Sequence, residues 1–232
     1  PLLPHFTIVV PSYCNAQWYE KNLSSLLNQQ YNDFHIIYID DASTDNTATL
    51  VEQYAQKHPR GDRLFLIKNR DRLLAMANEY HTIHLCNNNH VIVIVDGDDW
   101  LANNNVLQRI ALEYCNSDTW VTYGSYLDIP GNVCPVQNIS SMYNDHIALS
   151  MHAGKFIPGH PHTFYAWLFK CIQKEDLFHE NNFAKSAYDI AIYFPLHQLA
   201  GNHFAYIADI LYIHNIINTL NDAKVDPSLQ QR

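Results

Sequence analysis

Basic residues are scarce in this chain of 232 residues. Fourteen Lys and Arg stand against 23 Asp and Glu, which gives a formal net charge of -9. An acidic surface repels phosphate groups over most of its area, so neither nucleic acid nor an anionic membrane is an expected partner. A single phosphate group can still bind such a protein where a metal ion lies between the two.

The sequence also lacks any apolar run of the ~18 residues that a membrane-spanning helix needs. Its first residues carry neither the basic segment nor the long apolar segment of a signal peptide. The five cysteines lie far apart without a C-x-x-C pair, which excludes a disulfide framework and a zinc ribbon and favours buried thiols in a reducing compartment. We therefore predict a cytoplasmic protein, with peripheral membrane association or membership of a longer chain left open.

What the sequence does contain is a high apolar fraction, 47%, in segments that alternate between strand-like and helix-like patterns. Strands that alternate with helices of this length predict an α/β domain with a mostly parallel, Rossmann-like sheet and helices on both faces. The predicted strands are Phe6–Val10, His35–Ile39, Arg63–Ile67, Val91–Val95 and Thr119–Tyr123, and the predicted helices are Gln17–Gln29, Thr47–Ala55, Leu73–Leu85 and Val106–Tyr114.

The second half of the chain is less regular. Residues 124–162 are rich in Gly, Pro, Asn and Ser and show no sustained period, which is typical of a functional or mobile segment. Beyond it, the pattern predicts helices over Thr163–Ile172 and Tyr188–Leu199, and the segment Ala205–His214 ends in a strand-like pattern. No linker is evident, so we predict one domain over residues 1–232.

Asp96-Gly97-Asp98-Asp99 directly follows the most apolar strand. Ligands of parallel sheets bind at the carboxyl ends of the strands, so these acids should face a binding crevice. Like charges this close need a cation, and oxygen ligands suit Mg²⁺ or Mn²⁺. The alternative is an acidic turn that caps the next helix.

Asp40 and Asp41 end the second predicted strand. A strand-end acid in this architecture commonly accepts hydrogen bonds from a ribose hydroxyl or a base N–H. The alternative is again helix capping, but Ser43, Thr44 or Asp45 can provide that cap. We therefore favour contact of the acid pair with a ligand.

Three segments in order resemble glycosyltransferase family 2, the inverting nucleotide-sugar enzymes of GT-A fold. They are TIVVPSYCNAQWYEKNLSSLLNQQY, FHIIYIDDASTDNT and VIVIVDGDDWL. The resemblance is close over the first half and loose over the second. It implies one GT-A catalytic domain in which residues 1–125 bind the nucleotide sugar and residues 126–232 bind the acceptor. It also implies a UDP-sugar as the commonest donor and a glycan, lipid or protein hydroxyl as acceptor.

The resemblance assigns roles at the donor site by position. Pro11 and Tyr13 would border the nucleotide base, with Ser12 between them, and Asp41, beside Asp40, would hold the base or ribose. Asp96 and Asp98, with Gly97 between them, match the D-x-D pair that binds Mn²⁺ or Mg²⁺ and through it the diphosphate, and Asp99 would support either.

In this family a carboxylate on a helix of the second half takes the proton of the acceptor hydroxyl. That acid often belongs to an E-D doublet, but the matching position here reads Ser186-Ala187. Asp189 is the nearest acid and is predicted as the base, with Asp176 as the second choice. The alternative for Asp189 is an ordinary acid in the first turn of a helix.

A second departure from the family lies before the fourth strand. Many relatives carry A-R-N where this chain reads Met76-Ala77-Asn78, so an Arg that could meet a phosphate is absent. Arg70 and Arg72 are near enough to substitute for it, although solvated charges at a helix start are an equally good interpretation.

Fourteen histidines invite a metal hypothesis. His81 and His84 have a suitable helical spacing, but no third ligand is evident, so solvent-facing or core positions are favoured. His160 and His162 could contact the acceptor or a phosphate. His214 resembles the third metal ligand of some GT-A enzymes, and its alternative is an exposed residue at a strand end.

Two other functions remain open. A nucleotidyltransferase would need a Gly-rich basic loop after the first strand, and Pro11–Gln17 contains neither Gly nor Lys. A degenerate, non-catalytic module that binds nucleotide sugar fits the two departures, and donor hydrolysis would distinguish it from an enzyme.

Overall fold

The computed structural model describes residues 3–136, 138, 159–184 and 188–220. They form a seven-stranded sheet, a four-stranded sheet, a two-stranded hairpin and the surrounding helices. The strands are β1 (Phe6–Ser12), β2 (Phe34–Asp40), β3 (Leu64–Lys68), β4 (Val91–Ile94), β5 (Trp100–Leu101), β6 (Val121–Gly124), β7 (Tyr126–Asp128), β8 (Asn132–Cys134), β9 (Thr163–Tyr165), β10 (Phe178–His179), β11 (Asn182–Phe183), β12 (Phe204–Ile207) and β13 (Tyr212–His214). The α-helices are α1 (Tyr19–Leu27), α2 (Thr47–Lys57), α3 (Ala75–Leu85), α4 (Val106–Tyr114), α5 (Ala166–Phe169) and α6 (Tyr188–Ala200), and short 3-10 helices span Gly61–Arg63 and Lys174–Leu177.

The large sheet has the strand order β12-β6-β9-β4-β1-β2-β3. Neighbours from β4 to β3 run parallel, as the alternating pattern predicts, and β9 alone runs antiparallel to both of its neighbours. Consecutive residues of β1 serve opposite faces of this sheet. Ile8 packs with α1, α2 and α4 on one face, and Val9 packs with α3, α5 and α6 on the other. The predicted fold class, with helices on both faces, is confirmed.

The prediction of one helix over Thr163–Ile172 is wrong at its start. Residues Thr163–Tyr165 form β9, which pairs with β4 and β6, and only Ala166–Phe169 is α-helical. Phe164 is fully buried between the two neighbouring strands. Pairing on both sides satisfies the backbone of this short β-prone stretch, so tertiary context overrides its local helical pattern.

The strand predicted at the end of Ala205–His214 is confirmed as β13, and a further strand, β12, precedes it in another sheet. β12 pairs with β6 in the large sheet, whereas β13 joins the small sheet of order β5-β13-β7-β8. Asp209, in the bend between them, accepts a hydrogen bond of 2.7 Å from Arg109 of α4. The bend carries the chain from the large sheet to a small sheet that flanks the acidic turn.

Two smaller expectations need correction. None of Ser43, Thr44 and Asp45 is the N-cap of α2, because Asn46 holds that position in a left-handed conformation with φ of 66°. Asp45 does accept the N–H of Thr47 at 3.2 Å, so it still bonds to a backbone donor of the first turn. All five cysteines are free, as predicted, but only Cys86 is buried.

Among the described residues, no helix is both long enough and apolar enough to cross a membrane.

Candidate active site

The carboxyl ends of β1, β2 and β4 are tied to one another by backbone hydrogen bonds that continue beyond the strands. The N–H of Gly97 donates to the carbonyl of Pro11 at 3.0 Å, and the N–H of Asp41 donates to the carbonyl of Ser12 at 2.8 Å. These bonds place the acidic turn, the acid pair and the Pro-Ser-Tyr segment at one edge of the sheet. The structure therefore brings together the donor-site residues that the sequence predicts.

Ser12 and Gly97 fix the position of the acidic turn. The Ser12 hydroxyl accepts hydrogen bonds from the Tyr38 hydroxyl at 2.8 Å and from the Asn15 amide at 3.0 Å. A Cβ at Gly97 would lie 2.5 Å from Ser12 Oγ and 2.7 Å from Asn15 Nδ2, closer than any real Cβ contact. Gly97 is therefore required because the turn lies directly on these two side chains.

Asp41 is buried and accepts three hydrogen bonds from the loop that follows β3. The N–H groups of Leu73 and Leu74 and the side-chain amide of Asn69 each donate to it at 2.8 Å. Burial would raise the pKa of Asp41, but the bonds from Leu73, Asn69 and Leu74, together with the nearby Asn78 amide, outweigh it, and the pKa is lowered. Asp41 is therefore an anion that orders the rim of the crevice.

Asp40 is also buried and has a different environment. One of its oxygens accepts the N–H of Ser43 at 3.2 Å, and the other, Oδ1, is buried without a hydrogen-bond partner. A buried acceptor without a donor costs free energy unless a ligand or water supplies one. Asp40 therefore offers the unsatisfied acceptor of the acid pair.

Arg72, one of the two predicted substitutes for the missing Arg of the A-R-N segment, lies against Tyr13. Its guanidinium lies 3.7 Å from the centre of the Tyr13 ring, a cation–π distance. Both Arg70 and Arg72 are exposed, but Tyr13 directly follows β1, so the Arg72 contact places a cation at the mouth of the crevice. Arg72 is thus the better of the two predicted substitutes.

Asp99 belongs to the fold more than to the crevice. Its two carboxylate oxygens accept the Tyr212 hydroxyl at 2.6 Å and the N–H of Asn215 at 2.7 Å. Burial and the neighbouring Asp98 raise the pKa of Asp99 well above its usual range. The next helix, α4, has Asn105 as its N-cap, so the acidic turn does not cap that helix.

Asp98 is half-buried and accepts the amide of Asn218 at 2.8 Å. Burial raises the pKa of Asp98, while the Asn218 bond and nearby His214 act against that rise. Among the described residues, no Lys or Arg forms an ion pair with Asp98 or Asp99. Carboxylates crowded in this way fit a hard divalent cation, which Asp96 and Asp98 would hold.

Glu79 is a further acid at this edge that the sequence analysis missed. It lies on α3, is fully buried, and neither of its carboxylate oxygens has a hydrogen-bond partner. Burial raises the pKa of Glu79 well above its usual range, and Asp96 and Asp189 raise it further. Its helical spacing from the apolar Met76 and Ile83 was the signal that could have placed it inside.

Asp189 reaches the same group of acids from the second half of the chain. It lies in the first turn of α6, is half-buried, and accepts the N–H of Ile190 at 2.8 Å. Burial raises the pKa of Asp189, although the Ile190 bond and His214 oppose this. Both Asp189 and Asp96 raise the pKa of Tyr193, so the two carboxylates lie close to one common side chain.

The second choice for the base is placed differently. Asp176 lies in a 3-10 helix with its side chain exposed. Ser186 and Ala187, the position of the family's acidic doublet, lie outside the described residues.

The histidines divide between the site and the core. His214 bonds through Nδ1 to Asp128 at 2.9 Å and is near enough to Asp98 and Asp189 to lower the pKa of each. His162 is instead fully buried, stacks on Tyr193 with ring centres 3.6 Å apart, and contacts His197.

Three further histidines lie apart from the acids. His160 stacks on Tyr212 behind the acidic turn, with ring centres 4.7 Å apart. His81 and His84 are exposed on α3, in agreement with the solvent-facing interpretation.

Comparison with solved structures shows the fold. Staphylococcus aureus TarS, residues 1–349, superposes with a TM-score of 0.70 at 20% identity over 91% of this chain and 60% of that chain. The mannosyltransferase PcManGT from Pyrobaculum calidifontis, solved with GDP-Man and Mn²⁺, gives a TM-score of 0.62 at 17% identity over 92% of this chain and 57% of that chain.

Comparison of sequences gives the family. The putative glycosyltransferase EpsE of Bacillus subtilis is 30% identical over 96 residues, which are 41% of this chain and 34% of EpsE. The chain thus spans about a third of the length of this relative. The sequence model for glycosyl transferase family 2 matches residues 7–176, a segment that holds the donor-site residues and ends before Asp189. With a match over most of its length and a GT-A architecture, the chain carries a glycosyltransferase domain and belongs to glycosyltransferase family 2.

Proposed function

We propose that this domain transfers a sugar from a nucleotide-diphosphate sugar, with a UDP-sugar as the first choice, to an acceptor hydroxyl with inversion at the anomeric carbon. The observation that carries the proposal is the convergence of Asp98 and Asp189, from opposite halves of the chain, on one edge of the sheet around His214. Relatives in structure have been solved with UDP-GlcNAc and with GDP-Man, which supports a donor of this class.

The donor half of the crevice would bind the nucleotide. Asp41 orders the rim, Asp40 offers a buried acceptor to a base or ribose donor, and Tyr13 with Arg72 presents an aromatic and cationic face. A cation on Asp96 and Asp98, Mn²⁺ or Mg²⁺, would supply neutralisation of the charge that builds on the departing diphosphate. Arg72 would add a positive charge from the protein itself.

The proton of the acceptor hydroxyl would pass to a carboxylate oxygen of Asp189 as the hydroxyl oxygen attacks the anomeric carbon. A general base works best when its pKa approaches the working pH, and burial shifts the pKa of Asp189 in that direction. His214 lies close enough to influence this carboxylate, and its ring is held by Asp128. We also propose a cytoplasmic location, because all five cysteines are free thiols.

The test is a panel of nucleotide sugars added to the chain with and without Mn²⁺, followed by thermal unfolding and by release of the nucleotide. A true donor binds the folded state alone, so it should raise the unfolding temperature in a concentration-dependent way. Asp98→Asn should abolish the Mn²⁺-dependent part of nucleotide binding and keep the fold. Equal binding of UDP with Mn²⁺ by Asp98→Asn and the parent would show that the D-x-D assignment is wrong.

The non-catalytic module makes a different prediction for the same panel. It would be stabilised by a donor with Mn²⁺ but would release no nucleotide diphosphate, whether by hydrolysis or by transfer. An enzyme releases it even without the natural acceptor, because water can take the acceptor's place slowly. Binding without any release would therefore favour the module over the enzyme.

A further inference from the structure

Three histidines meet at the amino edge of the large sheet, opposite to the acids. His5 directly precedes β1, His35 is the second residue of β2, and His90 directly precedes β4. These three strands are neighbours, and their register aligns Phe6 with both Phe34 and Val91. One ring nitrogen of each histidine lies within 4.8 Å of the corresponding nitrogens of the other two.

A hydrogen-bond network already orients the three rings. His5 Nε2 lies 2.7 Å from His35 Nδ1, so these two nitrogens share one proton. The hydroxyl of Thr7 lies 2.9 Å from His90 Nδ1 and 3.3 Å from His35 Nε2. Thr7 is fully buried, so it holds the second and third rings in place from within the sheet.

The remaining nitrogen of His5 is bound by a carboxylate. His5 Nδ1 donates to Asp33 Oδ1 at 2.6 Å, which directs the lone pair of Nε2 toward His35. A carboxylate on the far nitrogen of a histidine is the usual outer support of a metal-ligating imidazole, because it fixes the tautomer and raises the basicity of the ligating nitrogen. The structure thus contains both a ligand set and an outer support.

Burial favours the neutral imidazole in two of the three rings, and the neutral form is the one that binds a metal ion. Burial, with His5 and His90 nearby, lowers the pKa of His35 to about 4, and burial with His5 nearby lowers the pKa of His90. The thiol of Cys86 lies beside Thr7, and burial raises its pKa. Lys170 also lies near His90 and favours its neutral form.

We propose that His5, His35 and His90 form a binding site for a borderline transition-metal ion, with Zn²⁺ as the best fit. Neutral imidazoles suit Zn²⁺, Ni²⁺ or Cu²⁺, whereas Mg²⁺ and Mn²⁺ prefer the oxygen ligands of the opposite edge. The ion takes the place of the proton between His5 and His35, that proton moves to Nε2 of the His35 ring, which faces the Thr7 hydroxyl, and a water molecule completes the tetrahedral shell. Since β1 is seven residues long, the site lies ~20 Å from the acids. A bound ion would link the amino ends of three neighbouring strands.

The experiment measures Zn²⁺ binding by the metal-stripped chain, by calorimetry and by thermal unfolding. The parent should bind one equivalent tightly, and His5→Gln and His90→Gln should weaken this binding by more than ~10-fold. Asp33→Asn, an exposed outer residue, should weaken it by about 10-fold and keep the fold. His179→Gln, which removes an exposed histidine elsewhere, and Asp98→Asn, which alters the acidic edge, should bind like the parent.

The parent chain alone gives a second test in case a histidine variant fails to fold. One equivalent of Zn²⁺ should protect His5, His35 and His90, and leave His179 reactive, toward diethyl pyrocarbonate, as read by peptide mass spectrometry. Failure of the parent to bind Zn²⁺, equal binding by the His5→Gln variant, loss of binding by Asp98→Asn, or protection of other histidines would each overturn the proposal. None of these readouts depends on sugar transfer.

Discussion

The two edges of the central sheet gather ionisable groups of opposite kind. At the carboxyl edge, burial raises the pKa of Glu79 and Asp98, because a negative charge is poorly solvated there. At the amino edge, burial lowers the pKa of His35 and His90, because a positive charge is poorly solvated there. Burial thus favours the neutral forms of these four groups, two at each edge, whereas Asp41 at the carboxyl edge stays ionised because of its hydrogen bonds.

The two edges differ in the kind of metal ion that their side chains would bind. Carboxylate oxygens select a hard ion such as Mn²⁺ or Mg²⁺, and imidazole nitrogens select a borderline ion such as Zn²⁺. The strand interiors between the edges are apolar, and Val9 and Ile94 are almost wholly buried. Crowding of like groups at strand ends, and not their number in the chain, therefore marks the places where a ligand is expected.

Among substitutions at the carboxyl edge, the largest loss of activity is expected at Asp189. Asp189→Asn removes the proposed proton acceptor, so turnover should fall by roughly 10²–10⁴, while the binding of nucleotide and Mn²⁺ stays nearly unchanged. Steady-state transfer assays with matched binding measurements test this. Asp176→Asn is the control, because that side chain is exposed and should change turnover little. Turnover within a few-fold of the parent for Asp189→Asn would remove it as the base.

The acidic turn should also be sensitive to its packing. Gly97→Ala places a Cβ within 2.6 Å of Ser12 Cβ and 2.5 Å of its Oγ, so unfolding free energy should fall by about 1–3 kcal/mol. Urea unfolding measures the change. In a Ser12→Gly background the same substitution should cost less, because two of the three clashing atoms are gone and only Asn15 Nδ2 remains. Equal costs in the two backgrounds would show that the two sites do not interact.

The donor edge was predictable because a regular pattern generates it. Alternating strands and helices place all parallel strand ends at one edge, so Asp40 and Asp98 could be brought together from sequence alone. β9 was not predictable in this way. It follows a long irregular segment and enters the sheet antiparallel between β4 and β6, which only tertiary pairing decides.

The group of three histidines at the amino edge was also not predictable from the sequence pattern. Sequence reasoning tests short spacings, so it considered His81 and His84, which point to solvent. His5, His35 and His90 are separated by 30 and 55 residues and meet only because three strands share one register. Glu79 was within reach, since its helical position lies on the buried face of α3, but a lone Glu among apolar residues draws little attention.

The free energy of unfolding should depend on pH in opposite directions at the two edges. At the carboxyl edge the dependence comes from Glu79. Above about pH 4.5 the unfolded chain releases this proton while the folded chain keeps it, so parent stability should fall as pH rises toward the raised folded pKa. The slope from one group is at most about 1.4 kcal/mol per pH unit. Glu79→Gln should remove that slope in urea unfolding with a chelator present. Glu52→Gln, at an exposed position of α2, is the control for the loss of one carboxylate. Parallel curves for the parent and Glu79→Gln would contradict the burial argument.

The amino edge should show the opposite and smaller dependence. His35 has a folded pKa of about 4 against an ordinary value of 6.5, so the unfolded chain takes up a proton first as pH falls. The contribution of this ring to the free energy of unfolding is therefore complete above pH ~6.5 and is lost progressively toward pH ~4. Because the ring is only half-buried, the effect should be modest. His35→Gln should flatten the stability curve in that window and leave it unchanged above pH 7, where Glu79→Gln still differs from the parent. If His35→Gln changes the curve only above pH 7, the lowered pKa of this ring is not what distinguishes the two edges.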